Sequence, residues 1–204
     1  KADDGLVFFN FRSDRARQLT KAFVEQGFDG FKRKKVKNLH FVSLTQYSSD
    51  LNVDVAFKII DVKNTLGDTL SKHGFKQLRI AETEKYAHVT YFFNSLREEV
   101  LKGETRILIP SPKVSTYDSK PKMSIHKITK IVLKEINKNR FDFIVLNFAN
   151  EDMVGHTGNF EAAIKASEAV DKSLGLILKA IKEKSGTLII TADHGNIEEM
   201  INSK

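Results

Sequence analysis

An α/β protein built on mostly parallel sheet is expected, for three reasons. Short apolar runs such as 39–45 and 143–149 alternate with stretches of helical period. Residues 141–149, FDFIVLNFA, are near-continuously apolar, as a strand covered on both faces must be. From 141 to 191 the order reads strand, loop, long helix, strand, which is a βαβ unit. With 41% hydrophobic residues, the chain has the composition for a packed core.

The elements are expected in this order. Residues 6–11, LVFFNF, read as a short buried strand. A helix follows over 13–26, with Ser13 as its N-cap and Leu19, Phe23 and Val24 on one face, until Gly27 and Gly30 break it. Residues 39–45 are a second strand. Val62, Leu66 and Leu70 recur at helical spacing, and Gly74 supplies the stop. Residues 76–82 and 88–93 read as two strands. The stretch 103–124 carries all three prolines (Pro110, Pro112, Pro121) and reads as a long exposed connection. A helix over 124–137 leads to the apolar strand at 141–149. In the helix over 159–184, Phe160, Ile164, Ser167, Val170, Leu174, Ile177 and Ile181 form one apolar face. Gly186 closes it, and TLIIT (187–191) is a second buried strand.

Length and composition bound the chemistry. A chain of 204 residues holds one full domain or parts of two. It starts at Lys1 in mid-pattern, so it reads as a piece of something longer. No apolar run approaches the roughly 20 residues that cross a bilayer. The absence of cysteine excludes disulfides, thiolate ligands and a cysteine nucleophile, and is compatible with a reducing cytoplasm. The net charge of +7 favours anionic partners or a lysine-rich solvated surface. The run Lys32-Arg33-Lys34-Lys35 lacks the aromatic pattern of an RNA reader and is expected to tip a loop.

Two polar clusters follow the carboxyl ends of the two apolar strands, the edge at which open α/β sheets bind ligands. The first, NEDMVGHTG, holds Asp152 and His156; the second is Asp193-His194, ahead of Gly195. Carboxylate oxygen and imidazole nitrogen are the ligands of choice for divalent first-row cations where thiolates are absent. Past a strand end, neighbouring side chains can turn toward one ion or toward two adjacent ones. Either cluster alone is also what a solvated loop looks like; together, after consecutive strands, they point to a metal centre. Arg12 and Arg15 begin the first helix, where positive charge opposes the helix dipole. Spaced i, i+3, they could grip one anion. Lys85, taken alone, reads as a surface lysine.

The segments FFNFRSDRARQLTKAF, LRIAETEKYAHVTYFFN, RILIPSPKVSTYDSKPKMS, LNFANEDMVGHTGNFEAAIKASEAVD and TLIITADHGNIEEM resemble, in order, the C-terminal half of the cofactor-independent phosphoglycerate mutases. These are two-metal enzymes of the alkaline phosphatase superfamily. The resemblance implies an alkaline-phosphatase-like three-layer αβα domain over 61–204. Residues 1–60 would be the end of a phosphotransferase domain, with a hinge near 59–63. It implies that Asp152 and His156 hold one metal and Asp193 and His194 the other, manganese or, in some members, magnesium, without 2,3-bisphosphoglycerate. Arg12 and Arg15 would hold the substrate's anionic groups, and Lys85 would sit by the transferred phosphate. The implied activity moves a phosphoryl group between the 2 and 3 positions of glycerate through a phosphoserine, in a cytoplasmic monomer with no nucleic-acid or membrane partner.

Departures from the family pattern carry their own expectations. The strand with a further metal-binding aspartate and the serine nucleophile have no counterpart, so the chain alone is expected to be inactive. A further histidine ligand would lie beyond Lys204. FFNSLREE lacks the usual glycine pair, so that loop is expected to take a different shape. The alternatives are another metal-dependent phosphohydrolase or phosphopentomutase of the superfamily, an inactive truncated product, or a basic nucleic-acid-binding protein.

Overall fold

The computed structural model describes residues 1–60 and 62–201. The chain divides into two compact units, Lys1–Asp61 and Val62–Lys204. Asp61, inside the predicted hinge, lies outside the described residues.

The first unit is a parallel three-stranded sheet of β1 (Gly5–Phe8), β2 (His40–Thr45) and β3 (Asp54–Phe57), with β2 in the centre. Helix α1 (Ser13–Val24) makes the crossover from β1 to β2. The central strand buries Phe41, Ser43 and Leu44. Tyr47 is buried below β1, packs edge-on to Phe8, and places its hydroxyl 2.5 Å from the Asn10 carbonyl. Three expectations are corrected here. The first apolar run is a strand only to Phe8, and Val7, Phe9 and Phe11 are exposed. Ser13 is the first residue of α1 rather than its cap; Arg12 holds the cap position, and its side chain makes no capping hydrogen bond with the helix backbone. The buried stripe of α1 is Ala16, Thr20 and Ala22, while Leu19 is exposed, because small residues let the helix lie close. Strand β3 was not anticipated. The basic run 32–35 lies, as expected, in an irregular loop.

The second unit is a parallel sheet in the order β5-β4-β6, formed by β4 (Gln77–Glu82), β5 (Glu104–Ile109) and β6 (Phe143–Asn147). All six residues of the central β4 are buried. Successive side chains of a strand point to opposite faces. Leu78 and Ile80 on one face pack with Ile128, Val132 and Ile136 of α4 (Ile125–Asn137) and Ile177 and Ala180 of α6 (Phe160–Glu183). On the other face, Arg79 is fully buried, with its guanidinium 4.3 Å from the Phe93 ring centre. Helix α2 (Leu66–Lys72) starts with a reciprocal box: the Thr65 side chain accepts from the Asp68 N–H, and Asp68 accepts from the Thr65 N–H. Arg97 also grips the Asp68 carboxylate, and its hydrogen bond is the main reason the Asp68 carboxyl is lowered to about 2.

Four expectations about this unit are corrected. Residues 88–93, rich in aromatic and β-branched side chains, are not a strand. After β4 the chain turns through a short 3-10 helix (Thr83–Lys85) into α3 (Tyr86–Val89). The stretch 103–124 holds β5 rather than being loop throughout. Helix α6 buries a row of alanines (Ala162, Ala163, Ala166, Ala169, Ala180) beside Val170, Ser173 and Ile177; Phe160 and Ile164 are exposed. Its N-cap is Asn159, whose side chain accepts from the Ala162 N–H at 3.1 Å. Residues 187–191 form no strand: Leu188 packs on the core, but Ile189 is 83% exposed. A strand exists through its ladder. Among the described residues, β6 pairs with β4 and nothing pairs with 187–191, so the predicted βαβ unit is not closed. Strand β6 is accordingly an edge, half-buried at every position.

The loop FFNSLREE (92–99) turns at Ser95 and Leu96, whose φ values are 56° and 64°. The left-handed region costs a residue with a Cβ about 1–2 kcal/mol. Leu96→Gly is therefore expected to raise stability by about 0.5–1 kcal/mol net of glycine's extra chain entropy. Calorimetry should show a melting temperature higher by roughly 2 °C; an unchanged or lower value would mean that the loop holds no such strain.

Candidate metal centre

Three chain segments meet at one end of the β5-β4-β6 sheet. The 3-10 turn after β4 delivers Lys85, the short helix α5 (Asn150–Gly155) after β6 delivers Asp152, and the bend after residue 192 delivers Asp193 and His194. His156 caps the C-terminus of α5, one turn beyond Asp152, so the two side chains lie on one face. The first cluster is thus helical rather than a solvated loop. Lys85, which sequence alone leaves on the surface, is 2% exposed.

The ammonium of Lys85 stands between the clusters. Its Nζ lies 2.8 Å from Asp152 Oδ2, 2.9 Å from Asp193 Oδ2 and 2.9 Å from His194 Nε2. His156 Nε2 is 3.2 Å from Asp152 Oδ1, and His194 Nε2 is 3.7 Å from Asp152 Oδ2. All four predicted metal-site residues and Lys85 therefore converge. Burial pushes the Asp152 carboxyl upward. The hydrogen bonds from Lys85 and Asn196 and the charges of Lys85 and His194 outweigh it and hold the group below the usual carboxylate range. Asp193 follows the same balance: burial raises it, and Lys85 more than compensates. Both oxygens stay ionised at neutral pH. Any stability this ionisation adds is present above the ordinary carboxylate range and lost as pH falls through the lowered values.

Two participants escaped the sequence reading. Asn196 donates from Nδ2 to Asp152 Oδ1 at 2.7 Å and to the Asp152 carbonyl at 3.1 Å, so it fixes the carboxylate against α5. A Cβ on Gly155 would come within 2.5 Å of Asn196 Oδ1, so the glycine leaves room for this clamp. His88, on α3, brings Nε2 to 3.6 Å from Asp193 Oδ2. A lone asparagine and a lone histidine form no spacing pattern, and His88 sits in a segment that reads as a strand.

The donor set suits a divalent cation. Two carboxylates and one ammonium leave a surplus negative charge, and the remaining groups are imidazoles, ligands for first-row ions. Contacts of the kind that orient metal ligands are present on Asp152, through Asn196, and on His194, whose Nδ1 faces the Gly195 carbonyl at 3.1 Å. In the first unit, Arg12 forms a two-pronged pair with Asp14 at 2.9 and 3.1 Å, and sits ahead of the helix rather than on it. Arg15 is exposed within α1.

The chain belongs to the metalloenzyme superfamily, whose pattern matches residues 24–204. It is 60% identical over 202 residues to the 2,3-bisphosphoglycerate-independent phosphoglycerate mutase 2 of Methanosarcina barkeri, covering 99% of this chain and 38% of that one. It is 58% identical over 200 residues to the corresponding enzyme of Acaryochloris marina, again over 98% of this chain and 38% of the other. Among solved structures, a Leishmania mexicana phosphoglycerate mutase at low cobalt concentration superposes with a TM-score of 0.85 at 32% identity, covering 98% of this chain and 37% of that one. The resemblance noted from the sequence therefore stands, and the chain spans a little over a third of the length of these relatives.

Proposed function

We propose that the chain is the metal-holding part of a cofactor-independent phosphoglycerate mutase, which interconverts 2- and 3-phosphoglycerate. The observation that carries this is the convergence of Asp152 and Asp193 on the buried Lys85 ammonium, at 2.8 and 2.9 Å. Asp152 and His156 would hold one divalent ion and Asp193 and His194 the other, manganese in preference to magnesium, with no 2,3-bisphosphoglycerate required. When bound, the ions supply Lewis-acid charge to phosphoryl oxygens. Lys85 holds the two carboxylates at a common distance and offers its protons to an anionic oxygen arriving between them. Asn196 keeps Asp152 in place. Arg12 and Arg15 supply planar forks for the substrate's anionic groups. A small phosphorylated acid as substrate, a monomer, a cytoplasmic location, and a division into phosphotransferase (1–60) and phosphatase-like (61–204) parts belong to the same reading.

A chimera tests it. This chain is placed in the Methanosarcina barkeri relative in place of the matching 38%. With Mn²⁺ and 3-phosphoglycerate, the phosphorus NMR spectrum is expected to gain the 2-phosphoglycerate signal without inorganic phosphate, and the gain should vanish on Lys85→Met. Free phosphate as the main product would favour the phosphohydrolase alternative and overturn the mutase reading.

A further inference from the structure

We propose that His88 is a metal ligand, which joins Asp193 and His194 to give one divalent ion two imidazoles and a carboxylate from this chain. The inference rests on the metal-centre reading above and extends it by one residue. One potential ligand atom from each of His88, Asp193 and His194 lies within 4.8 Å of the others. Asp193 Oδ2 is equidistant, at 3.6 Å, from Nε2 of His88 and Nε2 of His194. Around an ion with bonds near 2.1 Å, ligand atoms stand roughly 3.0–3.5 Å apart. The trio therefore closes onto an ion with side-chain shifts of less than about 1 Å.

The surroundings prepare these atoms. His88 follows Lys85 by three residues across the start of α3, the spacing that puts two helical side chains on one face. The Phe92 ring lies 5.3 Å from the His88 ring and packs against it, and the His88 side chain is only 15% exposed. The rings of His88 and His194 stand edge to face, 6.5 Å between centres. A carbonyl can only accept, so the contact of His194 Nδ1 with the Gly195 carbonyl puts the proton on Nδ1 and leaves a lone pair on Nε2. Lys85 donates to that lone pair now. An arriving ion takes it over, while Lys85 keeps Asp152 Oδ2 at 2.8 Å. Asp193 has lone pairs enough for both cations. Two imidazoles among three ligands also set a preference. Mg²⁺ favours oxygen, whereas affinity at nitrogen-rich sites rises from Mn²⁺ to Co²⁺.

The test is a Co²⁺ titration of the purified protein by calorimetry and visible absorption, in the wild type and in His88→Gln, Asp193→Asn and His156→Gln. The expected result is at least a tenfold loss of affinity for one ion in His88→Gln, with an altered cobalt absorption band. His88→Glu should recover part of the affinity, and His156→Gln should weaken the other ion instead. Circular dichroism confirms that each variant keeps its fold. Cobalt uptake lost in Asp193→Asn but unchanged in His88→Gln overturns the role of His88 alone. Uptake indifferent to Asp193→Asn overturns the metal-centre reading, and this inference with it.

Discussion

Asp152→Asn is expected to weaken binding of one divalent ion by about a hundredfold, while leaving the fold in place. Loss of partners around a metal ligand alone costs 10–100-fold in metal affinity, and here the oxygen proposed as a ligand itself loses its charge. Asp152 also anchors Lys85 at 2.8 Å and receives the Asn196 clamp at 2.7 Å, so the substitution loosens three side chains at once. The fold survives because α5 lies past the strand end, and its buried residues Asn150 and Val154 are untouched. Calorimetric titration with Mn²⁺, beside a thermal melt without metal, separates the two quantities. Unchanged affinity would remove Asp152 from the metal centre.

Glu104→Ala is expected to cost about 3–5 kcal/mol of stability, because it strips the counter-charge from a cation sealed in the protein. The Glu104 side chain is fully buried; its Oε1 lies 4.0 Å from Arg79 Nε and 2.6 Å from Arg106 Nε. Its other oxygen accepts from the Asn94 amide and the Leu101 N–H. Burial lowers Arg79 to about 10, with Glu104 pulling the other way. Without Glu104, the buried guanidinium is left, among the described residues, with Gln77 and its aromatic neighbours. Urea unfolding measures the loss. The double variant Arg79→Met with Glu104→Gln is expected to be less destabilised than Glu104→Ala, because it leaves no charge at position 79. A loss under 1 kcal/mol for Glu104→Ala would mean that water or a shifted side chain takes over.

The sequence was most legible where local and tertiary preferences agree. Strands β2 and β4 and helices α4 and α6 fall close to their predicted bounds. It misled where packing overrode pattern. At 88–93, valine, threonine and aromatic rings favour a strand, but the turn carrying Lys85 continues into helix. TLIIT has strand composition and no ladder partner among the described residues. In α6 the predicted face holds at Val170 and Ile177, with Leu174 and Ile181 packed on the core, but it fails at its start: Phe160 and Ile164 are exposed, and alanines fill the buried stripe there. At the site, the paired Asp–His spacings were readable, and the geometry brings those residues together. The burial of Lys85, the Asn196 clamp and the approach of His88 depend on how three distant segments meet, which no local spacing encodes.

The uncovered isoleucines at 189 and 190 have a practical side. Short, uncharged, β-prone peptides left wet are the seeds from which cross-β fibres grow. A preparation of this chain by itself, taken to high concentration, should thus be watched for slow clouding that begins at this segment. A single lysine in place of Ile189 would act as a gatekeeper there without touching the acidic end of the sheet.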